Sequence, residues 1–328
     1  MKFSAIVINV PNTLVRPGLT RKDAFTQQWT RSELSKIFEL SFLEKVCTPS
    51  EIVQTPELMV LAKRHDTFFQ PNLRKALLGV SPTDRLSDQQ KQQSTDLAEA
   101  IIAEHWDKLI EILQKLNFSC RDDDAIKTQA IDTPWTPVIL SGLLDAVRTK
   151  LTRTACTESH LRAYRKLQQS EAQVGLLFED DVVILPQIKG QLNEAIAWLN
   201  QHDPDWNIVQ LAWSKLPDRP ATILEFEDSP LIASNNGAYG NSAVLVNLTN
   251  QSAQKIVDLI ETHRSSGQDI VANDVILAEA KLAQYLVKTR YIGPPLGEHS
   301  SVIAGKDMDY TKVCWDQPQI DQIKAMIN

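Results

Sequence analysis

Glu179, Asp180 and Asp181 are three consecutive acids at the end of the apolar run Val174-Gly175-Leu176-Leu177-Phe178, and the chain turns apolar again at Val182-Val183-Ile184. A run of that length reads as a buried strand of an α/β sheet. Three uncompensated carboxylates inside a core would be prohibitive, so they belong where the strand leaves the core, with a cation to neutralise them. In an extended chain residues i and i+2 point the same way, which lets Glu179 and Asp181 share one target while Asp180 faces the other side. Hard divalent cations such as Mg²⁺ or Mn²⁺ take oxygen ligands, commonly one or two carboxylates plus phosphate oxygens. The chemistry this spacing points to is a metal-diphosphate site. The competing reading is an N-cap or a solvated turn after a strand.

The elements around the triplet would have to deliver it to a cleft. Phe3 to Val10 reads as a first core strand, ending at Pro11-Asn12 in a loop with Arg16, Pro17 and Gly18. A helix is expected over Arg21 to Leu40, with Phe25, Trp29, Ile37, Phe38 and Leu40 apolar. Strand, loop and helix in that order are a common opening of nucleotide-binding α/β domains. Neither GxGxxG nor GxxxxGK[ST] is present, so any nucleotide site must work differently. Just upstream of the acids, a helix-like stretch over 138–151 precedes Thr152 to Leu167, which puts Leu161, Tyr164 and Leu167 on one face. Helix, short turn and acid-tipped strand form one αβ unit, and ligands bind at such carboxyl ends of strands in open α/β sheets.

Downstream the alternation continues. A helix over Ile188 to Asn200, strands at Trp206 to Trp213 and Gly237 to Val246, a helix over Thr249 to Thr262, a helix start near Gly267 to Leu277 and a last strand at Leu286 to Ile292 are expected. Residues 81–137 read as a helical insertion in a single 1–328 domain. Its stripe of Ile102, Trp106, Leu109, Leu113 and Leu116 suits docking on its own domain better than a dimer zipper, being only about two heptads long. The acidic loop Asp122-Asp123-Asp124 reads as solvated.

At 328 residues the chain can bury a substantial core, and its 43% hydrophobic and 23% charged content is that of a soluble globular protein. A net charge of -7 without a long basic run argues against nucleic-acid binding. No apolar stretch approaches a membrane span and the N-terminal run is too short for a secretion signal, although peripheral membrane contact stays open. Cys47, Cys120, Cys156 and Cys314 are scattered, so neither a zinc site nor a disulfide framework is expected and a cytoplasmic setting is the default.

The order of these features resembles glycosyltransferase family 25, which includes lipopolysaccharide-type sugar transferases and collagen galactosyltransferases. Its hallmark is a Cys-x-x-Ser-His-Leu helix followed by an apolar strand ending in Glu-Asp-Asp. Here these are Cys156, Ser159, His160 and Leu161, then Leu176 to Asp181. Val7-Ile8-Asn9-Val10 with Arg16 resembles the family's first strand and loop, Ala238-Tyr239 through Val246 a later strand, and His299 to Ile303 its C-terminal end. Arg153-Thr154-Ala155 departs from the family's Gly-Glu-Ile-Gly. The resemblance implies a GT-A type mixed sheet flanked by helices. It also implies an inverting transferase that moves a sugar, most plausibly a hexose, from a UDP-linked or other nucleotide-sugar donor to a saccharide or glycoconjugate hydroxyl.

The same resemblance assigns roles. Glu179 and Asp181, with His299, would hold a Mn²⁺ or Mg²⁺ ion, and Asp180 would face the donor sugar or ribose. Asn9 and Arg16 would meet the nucleotide, and Ser159 and His160 would line the donor side or brace the acidic strand. Asp274 would be the base that takes the acceptor's proton, beside Asp181 as the second catalytic candidate, unless it is an ordinary helix N-cap. His299 could equally be a plain surface or core histidine. Two other readings compete: a non-catalytic relative kept as a binding or scaffold protein, and a metal-dependent phosphoesterase, which commonly needs a second metal set.

Overall fold

The computed structural model describes residues 3–10, 14–16, 18–65, 69–120, 122–215, 223–234, 238–239, 242–267, 276, 280, 282, 285–296, 298–301, 306–309 and 315–327. The first part contains strands β1 (Phe3–Ile8), β2 (Leu14–Arg16), β3 (Leu19–Thr20) and β4 (Glu39–Phe42), with helix α1 (Arg21–Arg31) between the last two. Helices α2 (Pro49–Gln54), α3 (Pro56–Arg64), α4 (Pro71–Leu78), α5 (Asp88–Lys115), α6 (Asp123–Ala130) and α7 (Pro137–Gln168) follow. Next come β5 (Val174–Glu179), β6 (Val183–Ile184), α8 (Ile188–His202), β7 (Ile208–Gln210), β8 (Ser214–Lys215), β9 (Ile223–Glu225) and β10 (Leu231–Ser234). The remaining elements are β11 (Ala238–Tyr239), β12 (Ala243–Asn247), α9 (Ser252–Ser265), β13 (Tyr285–Val287), β14 (Ile292–Gly293), β15 (Glu298–Ser301), β16 (Lys306–Asp309) and a closing helix Gln317–Ile327.

Eight strands form one mixed sheet in the order β4-β1-β5-β12-β7-β13-β10-β9. Strand β5 lies between β1, parallel to it, and β12, antiparallel to it. The expected α/β architecture is therefore present, as a mixed sheet flanked by helices. Both faces of β1 and β5 are covered, which is why they read as continuous apolar runs rather than as alternating ones. Ala5, Val7, Leu176 and Phe178 face Phe25 and Trp29 of α1 and the apolar side of α8. Ile6, Ile8 and Leu177 face Leu161, Tyr164 and Leu167 of α7 and Ile256 and Ile260 of α9. Gly175 makes the α7 approach close: a Cβ there would stand 2.9 Å from a Leu167 methyl.

Two expectations about elements need correction. The helix over 21–40 is three elements: α1 stops at Arg31, capped by Ser32, Glu33 takes a left-handed φ of 57°, and a 3-10 turn Leu34–Lys36 follows. Leu40 then belongs to edge strand β4, paired with Ala5 of β1. Conversely, the stretches over 138–151 and 152–167 are one unbroken 32-residue helix, α7, started by the Thr136 side chain and Pro137.

The helical layer begins at Pro49, well before residue 81. Its core, including Ile52, Phe69, Leu73, Ile102, Trp106, Leu113, Leu140 and Val147, is built between α2–α6 and the N-terminal half of α7. The Ile102, Trp106, Leu109 and Leu113 stripe of α5 is buried there, within the same chain. Asp122 caps α6 by accepting hydrogen bonds from the Asp124 and Ala125 amides, so that acidic loop is a helix start. Among the described residues no helix is long and apolar enough to cross a membrane.

Phe178 is the last apolar residue before the acids, and its ring packs edge-on against Phe25 at 5.3 Å and Trp29 at 5.9 Å. Truncating a buried Phe leaves a cavity that costs about 3–5 kcal/mol. Phe178→Ala should lose about that much stability in denaturant unfolding; a loss below about 1 kcal/mol would show that this cluster does not anchor β5.

Candidate functional site

The acids sit where two parallel strands end together. The β1/β5 register pairs Ile8 with Glu179, so Asn9 leaves one strand beside Asp180 leaving the next. Strand β5 stops at Glu179, and Asp180 and Asp181 form a turn before the short β6. On its far side the turn is clamped by Gln28 of α1, whose Oε1 accepts from the Ile184 amide at 2.8 Å and whose Nε2 donates to the Val182 carbonyl at 3.4 Å.

Each acid has a distinct environment. The Asp180 side chain is only 4% exposed and accepts from Asn9 Nδ2 at 2.6 Å, the Val10 amide at 3.0 Å and Arg21 Nη1 at 3.2 Å. Burial still outweighs Arg21 and these donors, leaving its pKa above the ordinary value. Asp181 shares the same guanidinium, with Oδ2 at 3.5 Å from Arg21 Nη1, and its side chain is 47% exposed. Withdrawal from solvent, then the charge of Glu179, push Asp181 up to about 7, against the pull of Arg21. With half the side chain accessible, crowding by Glu179 and Asp180 is the part of that shift the geometry supports most directly.

Glu179 turns the other way. Its Oε1 lies 3.0 Å from His160 Nε2 and 3.8 Å from Cys156 Sγ, both on α7, and its amide donates to the Ser242 carbonyl at 2.8 Å. Burial would raise the carboxyl, but the hydrogen bond and electrostatic pull of His160, with Ser242 and Cys156, hold it below the ordinary range. Strict strand alternation, with Glu179 and Asp181 together and Asp180 apart, is therefore corrected. The strand ends at Glu179, and in the turn Asp180 and Asp181 share Arg21 while Glu179 meets α7.

Cys156 and His160 are one helical turn apart, and their ligand atoms with Glu179 Oε1 lie within 4.8 Å of one another. This trio has the composition of a metal site. The His160 ring argues for a different use. Its Nδ1 is buried without a hydrogen-bond partner among the described residues. Nδ1 is left unpaired in either tautomer, so the ring's one partnered nitrogen is Nε2, and its partner is the Glu179 carboxylate, which can only accept. His160 therefore reads as the donor that orients Glu179. Ser159 does not touch the acids: its Oγ donates to the Ala155 carbonyl and accepts from the Cys47 amide at 3.0 Å, tying the segment before α2 to α7.

Of the other expected site residues, Arg16 lies in β2 and His299 in β15, with their side chains outside the described residues, and Asp274 lies outside them altogether. The residues that sequence reasoning missed are Arg21, Gln28 and Ser242. Arg21 carried one signal: it opens a helix, where the dipole disfavours a cation, so its charge calls for an acidic partner. The chain matches no protein-family model, and no curated protein matches it.

The Asp181 shift has a sign that can be tested. Its folded pKa of about 7 exceeds the ordinary 3.8, so the folded state holds the proton more tightly and stability falls as pH rises through about 4 to 7. With a chelator present, Asp181→Asn should be more stable than the parent at pH 8, and the gap should close towards pH 4. A gap that does not change with pH would remove like-charge crowding from the account.

Proposed function

We propose that this chain is an inverting glycosyltransferase of GT-A type, resembling family 25, that uses a divalent cation to accept a nucleotide-sugar donor. The observation that carries the reading is the placement of Glu179, Asp180 and Asp181 at the carboxyl end of the central strand β5, level with Asn9 at the end of β1. Two of the three carboxylates share one guanidinium, so negative charge is in excess at this edge.

Asp181, the exposed carboxylate of the turn, suits a hard cation, and Glu179 is the second proposed ligand although its carboxylate is turned to His160 here. Burial first and the charge of Glu179 second lift Asp181, a bound Mn²⁺ or Mg²⁺ would offset both, and Glu179 is already held as a carboxylate by His160. A cation there would neutralise the charge that develops on a departing nucleoside diphosphate. Asp180, tied to Asn9 and the Val10 amide, fixes the two strand ends and so the shape of the donor floor. Asp274 is the proposed base for the acceptor hydroxyl, and His299 a proposed further ligand. The donor is a UDP-linked hexose in the first instance, the acceptor a saccharide or glycoconjugate, and the setting cytoplasmic, with lipopolysaccharide-type assembly as the family precedent.

A thermal-shift series with UDP, GDP, CMP and their sugars, with and without Mn²⁺, tests the donor site. A ligand at 100 times its Kd stabilises by about 2.7 kcal/mol, a readily measured shift. A Mn²⁺-dependent shift with one nucleotide is expected, and its loss in Asp181→Asn. No shift with any nucleotide in folded protein would favour the binding or scaffold reading. For the base, Asp274→Asn should keep donor binding while lowering transfer by about 10²–10⁴-fold. Unchanged turnover would move the base elsewhere.

A further inference from the structure

Arg21 is the one side chain that touches both Asp180 and Asp181 among the described residues, and its position is electrostatically costly. It is the first residue of α1, at the positive end of the helix, where a cation gains nothing from the backbone dipole. Its side chain is 32% exposed, so the guanidinium could be solvated instead. It reaches across 159 residues of sequence to Asp180 Oδ1 at 3.2 Å and to Asp181 Oδ2 at 3.5 Å.

The two contacts are not equivalent. Asp180 keeps Asn9 Nδ2 and the Val10 amide if Arg21 leaves, so that carboxylate stays partly compensated. Asp181 is half exposed, and Arg21 is the only ion-pair partner it has among the described residues. Arg21 therefore stands where a cation at Asp181 would place its own charge. Two cations sharing one carboxylate repel, and the mobile one is an arginine on a flexible stem with five donors suited to phosphate oxygens.

We infer that Arg21 is a built-in counter-ion of the acidic turn: it neutralises Asp180 and Asp181 in the empty protein, yields Asp181 to an incoming divalent cation, and turns its guanidinium to the diphosphate that accompanies the cation. The inference rests on the proposed nucleotide-sugar reading and adds an order to it. Cation and diphosphate bind cooperatively, because the residue displaced by one becomes a ligand of the other. A cation without diphosphate meets competition from Arg21, and a diphosphate without cation finds Arg21 engaged.

The test is Mn²⁺ binding followed by titration calorimetry or by the paramagnetic resonance signal of free Mn²⁺, on the full chain, first without nucleotide. Arg21→Gln should bind Mn²⁺ about three- to tenfold more tightly than the parent, since a competing positive charge is gone. Arg21→Lys, which keeps the charge, should stay within about twofold of the parent. In saturating Mn²⁺ the order reverses: UDP or GDP, whichever stabilises the parent, should bind Arg21→Gln at least about tenfold more weakly, the value of a lost charge-assisted hydrogen bond. Thermal unfolding of each variant separates a binding effect from a folding one. Equal or weaker Mn²⁺ binding by a folded Arg21→Gln would overturn the counter-ion role and leave Arg21 a structural brace. Absence of Mn²⁺ binding in the parent itself would instead sink the metal reading, and the inference with it.

Discussion

The constraint on which the rest of this structure depends is the ionisation of three adjacent carboxylates at the mouth of a buried strand. Hydrophobic packing carries β5 into the sheet between β1 and β12 up to Phe178, and the three acids follow before the chain returns to the core at Val182 and Ile184. Charge is handled by separation. Glu179 is directed to a histidine on one side of the sheet, Asp180 to an amide, an amide side chain and a guanidinium at the end of the neighbouring strand, and Asp181 outwards. Because the three are only partly compensated, the edge keeps a surplus of negative charge.

Helix α7 is the part that makes this arrangement rigid. Both ends are apolar: Leu140, Leu143, Leu144 and Val147 lie in the helical core, and Leu161, Tyr164 and Leu167 lie under the sheet. Between them runs a buried polar waist, Thr149, Lys150, Arg153, Thr154, Thr157, Glu158, Ser159 and His160. Polar groups at such depth need partners, and several of these tie distant segments together. Lys150 reaches the His65 carbonyl at 2.5 Å and Glu99 at 3.3 Å. Glu158 meets Arg162 at 3.1 Å and Arg264 at 2.9 Å. His65, buried among Arg153, Arg264 and Lys150, is pushed down to about 3 by burial first and by those charges second, so it stays neutral at any ordinary pH.

The acid-tipped strand, its partner β1 and the α/β class were legible in the sequence because a strand buried on both faces leaves an uninterrupted apolar run, a signal few other elements produce. The segment Thr152 to Leu167 was legible as a helix because Leu161, Tyr164 and Leu167 fall on one face. What escaped has equally physical causes. The apolar spacing of Ile37, Phe38 and Leu40 continues that of Phe25 and Trp29, so periodicity ran through a break made by Ser32 and left-handed Glu33. The polar waist of α7 interrupts the helical period in mid-helix, which split one helix into two. Arg21 is one of many arginines, and only the alignment of strand ends, Ile8 with Glu179, brings it to the acids. Pairings between positions more than 150 residues apart have no local signature at all.

That same separation bears on how the chain comes together. Strand β1 finds its central partner only after some 170 residues, most of them helical, and the helical layer is complete in sequence before β5 begins. Local contacts form early and distant ones late. The helical layer is thus expected to assemble first, leaving the sheet-facing end of α7 as a finished apolar ledge on which β5 lands and β1 closes. Since one uninterrupted helix belongs to both cores, neither can melt without taking the other's scaffold. The acidic edge and the helical layer should therefore unfold as a single cooperative unit.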